Sequence, residues 1–429
     1  MKILIQNAIL ISMDDSRPNV EYGMDVLIEG EKISRISKKI STKDVDKIID
    51  ASGKVLMPGL INTHTHIAMS IFRETIDGLK LQDWLEKKIW PMEDKMTDDD
   101  VYYASLLSFV EMIKTGCSTA NDMYFGTDSV IRAKDELGIR LQATIPLLST
   151  AGVKDEEIRL KKFREMIFKY QNHDDTLSFN VGIHGLYTSN LAFVRKCILM
   201  AKELQLPVHI HFCEDANEVQ TIKDAYHKDP VDVLVDEFAD VPTILAHGVK
   251  LSNDDFIKMK PYDFSISSCP ISNLKLGCGI PKVSQMLQND ILVSLGTDGQ
   301  GSGSNLDMFE VMKFTALLQK GVEEDPMLLP AYDVLKMATI NGAKTLKLDH
   351  VVGSIEVGKY ADLILLNMDD VLLKPTNNIL SQIVYNAKGY HVDTTIINGR
   401  VLMEKRILNI PYNEQELCEK CEFVIKRIF

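Results

Sequence analysis

Two histidines, His64 and His66, have the residue type and the spacing that most directly suggest chemistry. They end the segment NTHTH, which follows the apolar run VLMPGLI, so they come where a buried strand would finish. Because side chains alternate between the two faces of a strand, both imidazoles project from one face and can meet one metal ion. An H-x-H pair can also be two polar residues on a half-exposed strand, so the assignment depends on further ligands elsewhere in the chain.

Two later strand-like runs supply such ligands. In VHIHFCE, alternation puts His209 and His211 on one face, with His211 nearer the carboxyl end. We therefore expect His211 to be the ligand and His209 to pack lower, with a hydrogen bond. Asp298 closes the run ILVSLGTD. Three imidazoles and one carboxylate suit Zn²⁺ or another borderline divalent cation, and they leave room for a water molecule.

Three other titratable residues also follow strand-like runs. His184 ends FNVGIHG, Glu214 begins the loop after VHIHFC, and His247 ends TILAH. A water activated by a metal ion needs one group to take its proton and another to deliver protons to the substrate, and Glu214 and His247 have side chains that can do this. For His184 the pattern leaves two alternatives, a contact with the ligand or a satisfied position in the core.

Strand-like and helical stretches alternate through the middle of the chain, and this alternation predicts the fold. Stretches with helical period, such as 99–116 and 190–206, separate short apolar runs that end in polar residues. The apolar runs are 55–66, 117–123, 140–146, 179–185, 207–214, 243–248, 263–269 and 291–298. Eight repeats of this pattern predict a (β/α)8 TIM-like barrel, whose active site collects at the carboxyl ends of its strands. Closure of the barrel would place Asp298 beside His64 and His66.

Both ends of the chain instead have short strand-like pieces separated by turn signals such as Glu29-Gly30 and Asn398-Gly399. This pattern of short strands and turns predicts one β-sandwich assembled from the two termini. The expected domains are 1–55 for its N-terminal part, 56–350 for the catalytic barrel, and 351–429 for its C-terminal part with a terminal surface helix.

The composition limits the classes of partner. The chain has 429 residues and a formal net charge of -13, which disfavours nucleic acid or an anionic membrane surface as the main partner and favours a small molecule. No apolar run approaches the ~20 residues of a membrane helix, and no secretion signal is evident. Seven scattered cysteines make a disulfide framework improbable. We expect a cytoplasmic protein, either monomeric or homo-oligomeric.

The motifs resemble those of the amidohydrolase superfamily, in the branch that deaminates 5'-methylthioadenosine and S-adenosylhomocysteine. The resemblance covers essentially the whole chain. It is carried by PGLINTHTH (58–66), the stretch 68–94, VHIHFCED (208–215), LAHGV (245–249), SCPISNLKLGCGI (268–280) and GTDGQGSGSNLDMFEVMK (296–313). It implies a metal-dependent deaminase that converts an adenosine-type nucleoside to the inosine analogue and ammonia.

The resemblance also implies a role for each matching residue. The metal ligands match His64, His66, His211 and Asp298. The proton-transfer residues match Glu214 and His247, with Glu214 protonating the purine ring nitrogen and Asp298 passing a proton from water to ammonia. The nucleoside pocket matches Trp84, Glu93 and His184, with Glu214 and Asp298 also facing the substrate. Binuclear relatives carry a modified lysine on strand four, which FNVGIHG lacks, so one ion is expected, Zn²⁺ first, with Fe²⁺, Mn²⁺ and Ni²⁺ as alternatives.

Some positions depart from the family pattern. Ile145 stands where members often carry an arginine on strand three, and Arg159 is only an approximate match for a second arginine in the following loop. Those arginines would hold the amino-acid carboxylate of S-adenosylhomocysteine. Their departure from the pattern therefore favours smaller substrates such as methylthioadenosine or adenosine. The segment Ser302-Gly303-Ser304 has fewer asparagines than usual.

Other activities on the same scaffold are alternatives, because the fold and metal site set the reaction type while the pocket chooses the substrate. These are a guanine or cytosine deaminase and an s-triazine hydrolase. A non-catalytic binding protein is a more remote alternative.

Overall fold

The protein is described by a computed structural model that covers residues 1–149 and 152–429. The strands of the described residues are β1 (Lys2–Leu10), β2 (Glu21–Glu29), β3 (Lys32–Ser37), β4 (Lys47–Asp50), β5 (Lys54–Pro58), β6 (Leu60–Thr65), β7 (Cys117–Met123), β8 (Arg140–Thr144), β9 (Leu177–Phe179), β10 (Val181–Gly185), β11 (Val208–Phe212), β12 (Thr243–His247), β13 (Phe264–Ser268), β14 (Leu292–Leu295), β15 (Leu363–Asn367), β16 (Val392–Ile397), β17 (Arg400–Glu404) and β18 (Ile407–Leu408).

The α-helices of the same residues are α1 (Leu81–Trp84), α2 (Trp90–Glu93), α3 (Asp98–Thr115), α4 (Thr127–Leu137), α5 (Val153–Tyr170), α6 (Leu191–Leu204), α7 (Ala216–Tyr226), α8 (Pro230–Phe238), α9 (Asn253–Met259), α10 (Pro270–Lys275), α11 (Val283–Gln288), α12 (Gln300–Gly303), α13 (Met308–Val322), α14 (Ala331–Met337), α15 (Ile340–Thr345), α16 (Ile379–Tyr385) and α17 (Glu414–Ile428). A π-helical turn, Leu85–Ile89, joins α1 to α2, and 3-10 turns span Ile67–Phe72, Val371–Leu373 and Gly389–His391. None of the described helices has both the length and the apolar character that a membrane crossing requires.

Eight parallel strands form the barrel, in the order β6, β7, β8, β10, β11, β12, β13 and β14, with β9 extending the edge of β8. Beyond β8, the N–H of Leu147 donates to the carbonyl of Gly182 at 2.8 Å and joins the two halves. At the other seam, the N–H of Asp298 donates to the carbonyl of His64 at 3.1 Å. The prediction of a (β/α)8 barrel is confirmed.

Strands from both termini form one mixed nine-stranded sheet. Strand β1 pairs antiparallel with β2 and parallel with both β4 and β5, while β15 pairs antiparallel with β5 and β16. One apolar cluster combines both ends of the chain, with Ile5 and Val26 from the N-terminal strands and Leu363 and Ile396 from the C-terminal strands. The predicted β unit built from both termini is therefore present.

The expected single strand 55–66 is wrong, because the chain forms two strands that belong to different units. Strand β5 pairs with β1 and β15 in the terminal sheet, whereas β6 enters the barrel. Pro58 has no N–H to continue a ladder, and at Gly59 a Cβ would lie 2.5 Å from the Cβ of Ser118. The N-terminal part of the sheet therefore extends to Pro58, three residues past the expected boundary at 55.

Local sequence signals explain the helix that supports the first barrel strands. Helix α3 begins after Thr97, whose hydroxyl accepts the N–H of Asp100 while the Asp100 carboxylate accepts the N–H of Thr97, forming a capping box. The helix ends at Gly116, whose φ of +78° suits a residue without a Cβ. Helix α17 packs on α3, where Arg427 pairs with Asp100.

A buried ion pair joins the barrel to the terminal sheet. Arg140 on β8 donates through Nε to Asp362 at 2.7 Å, and both side chains are 1% exposed. Asp362 also accepts the N–H of Asn398, and Nη1 of Arg140 donates to the carbonyl of Asp175. With these contacts both charges are satisfied, although removal of either partner would leave the other charge buried alone.

We expect Arg140→Met to lower the free energy of unfolding by about 3–5 kcal/mol, because Asp362 would remain charged in a buried site. The double variant Arg140→Met/Asp362→Leu should recover most of the loss. Urea titration followed by circular dichroism measures both. Arg195→Met, which removes the exposed partner of Glu237, is the control and should cost far less. An equally small loss at Arg140 would contradict the assignment.

Candidate active site

The four predicted metal ligands meet at the carboxyl end of the barrel. Nitrogen atoms of His64, His66 and His211 lie within 4.8 Å of one another. Oδ1 of Asp298 lies 3.2 Å from Nε2 of His66 and 3.6 Å from Nε2 of His64. Separate parts of the chain therefore converge on one point that could hold a divalent cation. His247 forms a second such group with His64 and Asp298.

Hydrogen bonds at the far side of each ring orient these imidazoles. Nδ1 of His66 donates to the carbonyl of Met123 at 2.6 Å, and Nδ1 of His211 donates to the carbonyl of His184 at 2.7 Å. Nδ1 of His64 lies 3.0 Å from Nε2 of His209, which occupies the layer below. When each Nδ1 carries the proton, each Nε2 presents a lone pair to the centre.

The backbone and two hydroxyls orient Asp298. Its φ of +61° lies in the left-handed region, which turns the side chain after β14 toward the histidines. Oδ2 accepts the hydroxyls of Ser272 at 2.6 Å and Ser302 at 2.9 Å, and Oδ1 accepts the N–H of Gly299 at 2.7 Å. These contacts leave Oδ1 facing His64 and His66.

The donor set fits a cation on two independent observations. Nε2 of His64 is buried and has no hydrogen-bond partner among the described residues. Burial lowers the pKa of His66, but the hydrogen bond and charge of Asp298 outweigh burial and raise it to about 9. The carboxylate of Asp298 therefore makes this point favourable for positive charge, as a metal site requires.

Glu214 and His247 face each other beside this centre. Nε2 of His247 lies 3.5 Å from Oε2 of Glu214, and Nδ1 of His247 contacts the side-chain amide of Asn273 at 3.0 Å. Burial, followed by the charges of Asp298 and Glu218, raises the pKa of Glu214 well above its usual value. Burial lowers the pKa of His247 to about 3. These shifts favour the protonated form of the carboxyl and the neutral form of the imidazole, which can act as an acid and a base.

A cavity of about 500 Å³ opens above these residues. Every predicted substrate contact lines it, namely Trp84, Glu93, Arg159, His184, Glu214 and Asp298. One side is formed by residues 81–93, which we call the wall segment, comprising α1, the π-helical turn and α2. The main backbone contacts of these three turns are with one another. π-Helical turns occur frequently at functional sites.

Two polar contacts in the cavity define hydrogen-bonding roles. The hydroxyl of Thr188 donates to the carbonyl of Gly185, so it accepts from Nδ1 of His184 at 3.1 Å. Burial lowers the pKa of His184 to about 4, so the neutral ring offers Nε2 as an acceptor. Glu93 accepts the hydroxyl of Tyr124 at 2.6 Å. These groups could bind ligand hydroxyls.

Several contributing residues had no predicted role. Tyr124 directly follows β7, so its position after a strand end was a usable signal. Asn273, Ser272 and Cys278 lie in the motif SCPISNLKLGCGI, but their contacts with His247, Asp298 and Glu214 depend on how the loop after β13 folds. Alternation along strands carries no information about such loops.

Comparison with known proteins places the chain among deaminases. The amidohydrolase family model matches residues 55–402. The 5-methylthioadenosine/S-adenosylhomocysteine deaminase of Thermoanaerobacter pseudethanolicus is 41% identical over 408 residues, covering 95% of this chain and 94% of the relative. The 5'-deoxyadenosine deaminase of Methanobrevibacter smithii is 36% identical over 432 residues, covering 99% and 98%. An adenosine deaminase from Xanthomonas campestris, solved with bound zinc, has a TM-score of 0.92 and 28% identity, covering 99% and 98%.

We expect His64→Ala to reduce bound metal from near stoichiometric to a small fraction, because it removes a central ligand atom. His247→Asn should keep the metal and lose activity. Inductively coupled plasma mass spectrometry of the purified variants measures the content. If His247→Asn loses the metal while His211→Ala keeps it, the ion is held instead by His64, His247 and Asp298.

Proposed function

This chain belongs to the amidohydrolase family and is a hydrolase of carbon–nitrogen bonds, and we propose that its substrate is an adenosine-type nucleoside. The products are the inosine analogue and ammonia. The observation that carries the proposal is the carboxyl of Glu214 3.5 Å from the imidazole of His247, with both residues beside the four proposed ligands and lining one cavity. The names of relatives at 41% and 36% identity support the same chemistry.

We propose that His64, His66, His211 and Asp298 hold one divalent ion, with Zn²⁺ as the first candidate. Support comes from the imidazole and carboxylate donors and from the zinc in the adenosine deaminase neighbour. Strand β10, VGIHG, offers no lysine to bridge a second ion. When bound, such an ion lowers the pKa of a water from ~15.7 toward ~7 and so supplies a nucleophile at neutral pH.

The side chains of this chain then handle the protons. Glu214, whose pKa is raised by burial, delivers a proton to the purine ring nitrogen next to the carbon that carries the amino group. Asp298 takes a proton from the attacking water and passes it to the departing amine, which leaves as ammonia. His247, fixed by Asn273, faces the same carbon as a neutral imidazole. The proton that remains on the attacking oxygen returns to the Glu214 carboxylate as the ring carbonyl forms, so the acid is regenerated and one water is consumed for each ammonia released.

The polar groups farther up the cavity suit the sugar. Glu93 and His184 both offer acceptors, and Trp84 supplies an aromatic face. Ribose hydroxyls are donors, so these residues match them in type. A ring stacked against a side chain and oriented by a few polar groups is the usual arrangement of small-molecule sites.

The outer part of the cavity favours a small, uncharged group at the 5' position. Ile145, Leu148 and Phe125 line it with apolar surface. Arg159 is the only arginine or lysine among the described lining residues, and its Nε pairs with Asp155 at 2.5 Å. The carboxylate of a homocysteine tail would therefore meet one arginine whose charge is already shared with Asp155. We propose that methylthioadenosine and 5'-deoxyadenosine are better substrates than S-adenosylhomocysteine.

We also propose a cytoplasmic location. All seven cysteine thiols are free, and six of them are buried. Reduced thiols are the usual state of cytosolic proteins.

Glu214→Gln should lower kcat for methylthioadenosine by roughly 10²–10⁴-fold, the range expected when a general acid is lost. The amide preserves the shape of the side chain but cannot deliver the proton, so metal content should stay at the level of the unmodified enzyme. The rate of ammonia release from adenosine analogues, guanine and cytosine is measured for Glu214→Gln and for the unmodified enzyme. Turnover of guanine or cytosine alone by the unmodified enzyme would contradict the proposed substrate class.

Ile145→Arg should improve kcat/KM for S-adenosylhomocysteine relative to methylthioadenosine by roughly 10- to 150-fold, because a charge-assisted hydrogen bond contributes about 1.5–3 kcal/mol. Ile145→Met is the matched control, since it fills similar space without charge and should leave the ratio unchanged. Equal kcat/KM of the unmodified enzyme for both substrates would contradict the proposal that the outer part of the cavity favours a small, uncharged 5' group.

A further inference from the structure

The turn that carries Glu214 has an unusual backbone. Strand β11 ends at Phe212, and the next residue, Cys213, is 2% exposed with a φ of +53°. A residue with a side chain pays roughly 1–2 kcal/mol for this left-handed conformation, so other contacts must stabilise it. This kink sets the direction in which the Glu214 side chain leaves the strand.

One carboxylate holds both peptide groups at the kink. Oε1 of Glu218 accepts the N–H of Cys213 at 2.9 Å, and Oε2 accepts the N–H of Glu214 at 2.7 Å. Glu218 is 1% exposed and lies in the first turn of α7. Its own N–H donates to the side chain of Asp215, the residue that caps the helix. The helix start therefore fixes Glu218, and Glu218 fixes the kink.

The same turn is bonded to the turn that carries His247. The N–H of Gly248 donates to the carbonyl of Phe212 at 3.0 Å, and the N–H of Lys250 donates to the carbonyl of Cys213 at 2.9 Å. Both N–H groups and both carbonyls around the kink are thus engaged. The positions of Glu214 and His247 are coupled through this backbone.

The side chain of Glu214 itself has only loose contacts. Its oxygens lie 3.5 Å from Nε2 of His247 and 3.8 Å from Sγ of Cys278. Neither is a short, strong hydrogen bond. The placement of the carboxyl group in the cavity therefore depends on the backbone below it.

We propose that Glu218 is a positioning residue, which aims the Glu214 carboxyl at the reacting ring by gripping the two peptide N–H groups at the kink. This inference rests on the proposed role of Glu214 as the acid.

Glu218→Gln tests the inference. An amide oxygen can accept one of the two N–H groups, but its NH₂ would face the other donor, so the kink relaxes. A displacement near 1 Å costs roughly 10²-fold in rate, so kcat for methylthioadenosine should fall about 10- to 100-fold while KM changes less than about threefold. Metal content and the thermal midpoint should stay close to those of the unmodified enzyme.

Asp255→Asn is the matched control. Asp255 occupies the same position in the first turn of α9, but its carboxylate accepts the N–H and hydroxyl of the capping Ser252 and not the N–H groups of Cys213 and Glu214. Loss of this carboxylate should leave kcat unchanged. An equal fall in kcat would mean that any helix-start carboxylate has this effect, and it would overturn the inference.

The double variant Glu214→Gln/Glu218→Gln tests whether Glu218 affects kcat through Glu214. If Glu218 acts through Glu214, the double variant should be no slower than Glu214→Gln within about threefold. A further tenfold loss, or an unchanged kcat in metal-loaded Glu218→Gln, would overturn the positioning role and leave the deaminase proposal intact. Absence of deaminase activity in the unmodified enzyme would instead refute the proposed function.

If Glu218→Gln yields little folded protein, Glu218→Asp supplies the same comparison. It keeps the charge but shortens the side chain by one methylene. We expect kcat to lie between those of Glu218→Gln and the unmodified enzyme, and unchanged kcat in folded Glu218→Asp would count against the inference.

Discussion

The seam between the last and first barrel strands is the constraint on which the site depends. At that seam the N–H of Asp298 donates to the carbonyl of His64, so a residue near position 300 and one near position 60 become neighbours. The left-handed backbone at Asp298 then directs its carboxylate at the histidine pair. The proposed metal site therefore forms only in the closed cylinder, and a change that opens the seam would separate Asp298 from the histidine pair.

Burial at the base of this cylinder assigns the protonation states. Histidine and glutamate side chains crowd together where water is excluded, and desolvation disfavours the charged form of each. Burial lowers the pKa of His184 and His247 and raises the pKa of Glu214, while contact with His64 and His66 holds the pKa of Asp298 well below its usual value. The same crowding therefore favours the forms that the proposed acid, imidazole and anionic ligand require.

Strand periodicity explains how much of this could be predicted. Alternation along NTHTH and VHIHFCE indicated which histidines share a face, and repeated strand–helix alternation indicated that Asp298 would return to His64. The division of 55–66 into two strands was missed, because an uninterrupted apolar run does not reveal that Pro58 ends one sheet and Gly59 must pass close to Ser118. Glu218 and Asn273 were missed because their contacts are made by loops and helix starts, where no simple period relates sequence to direction.

The wall segment has a different relation to the rest of the fold. None of its residues is a predicted metal ligand, although Leu81, Trp84, Ile89 and Met92 pack in the main apolar core. Substitutions at the other positions of the segment, such as the half-exposed Trp90, can therefore change the cavity lining with little cost to the barrel or to the proposed metal site. A lineage of such proteins could acquire new substrate preferences by remodelling this one strip while the hydrolytic chemistry beneath is inherited unaltered.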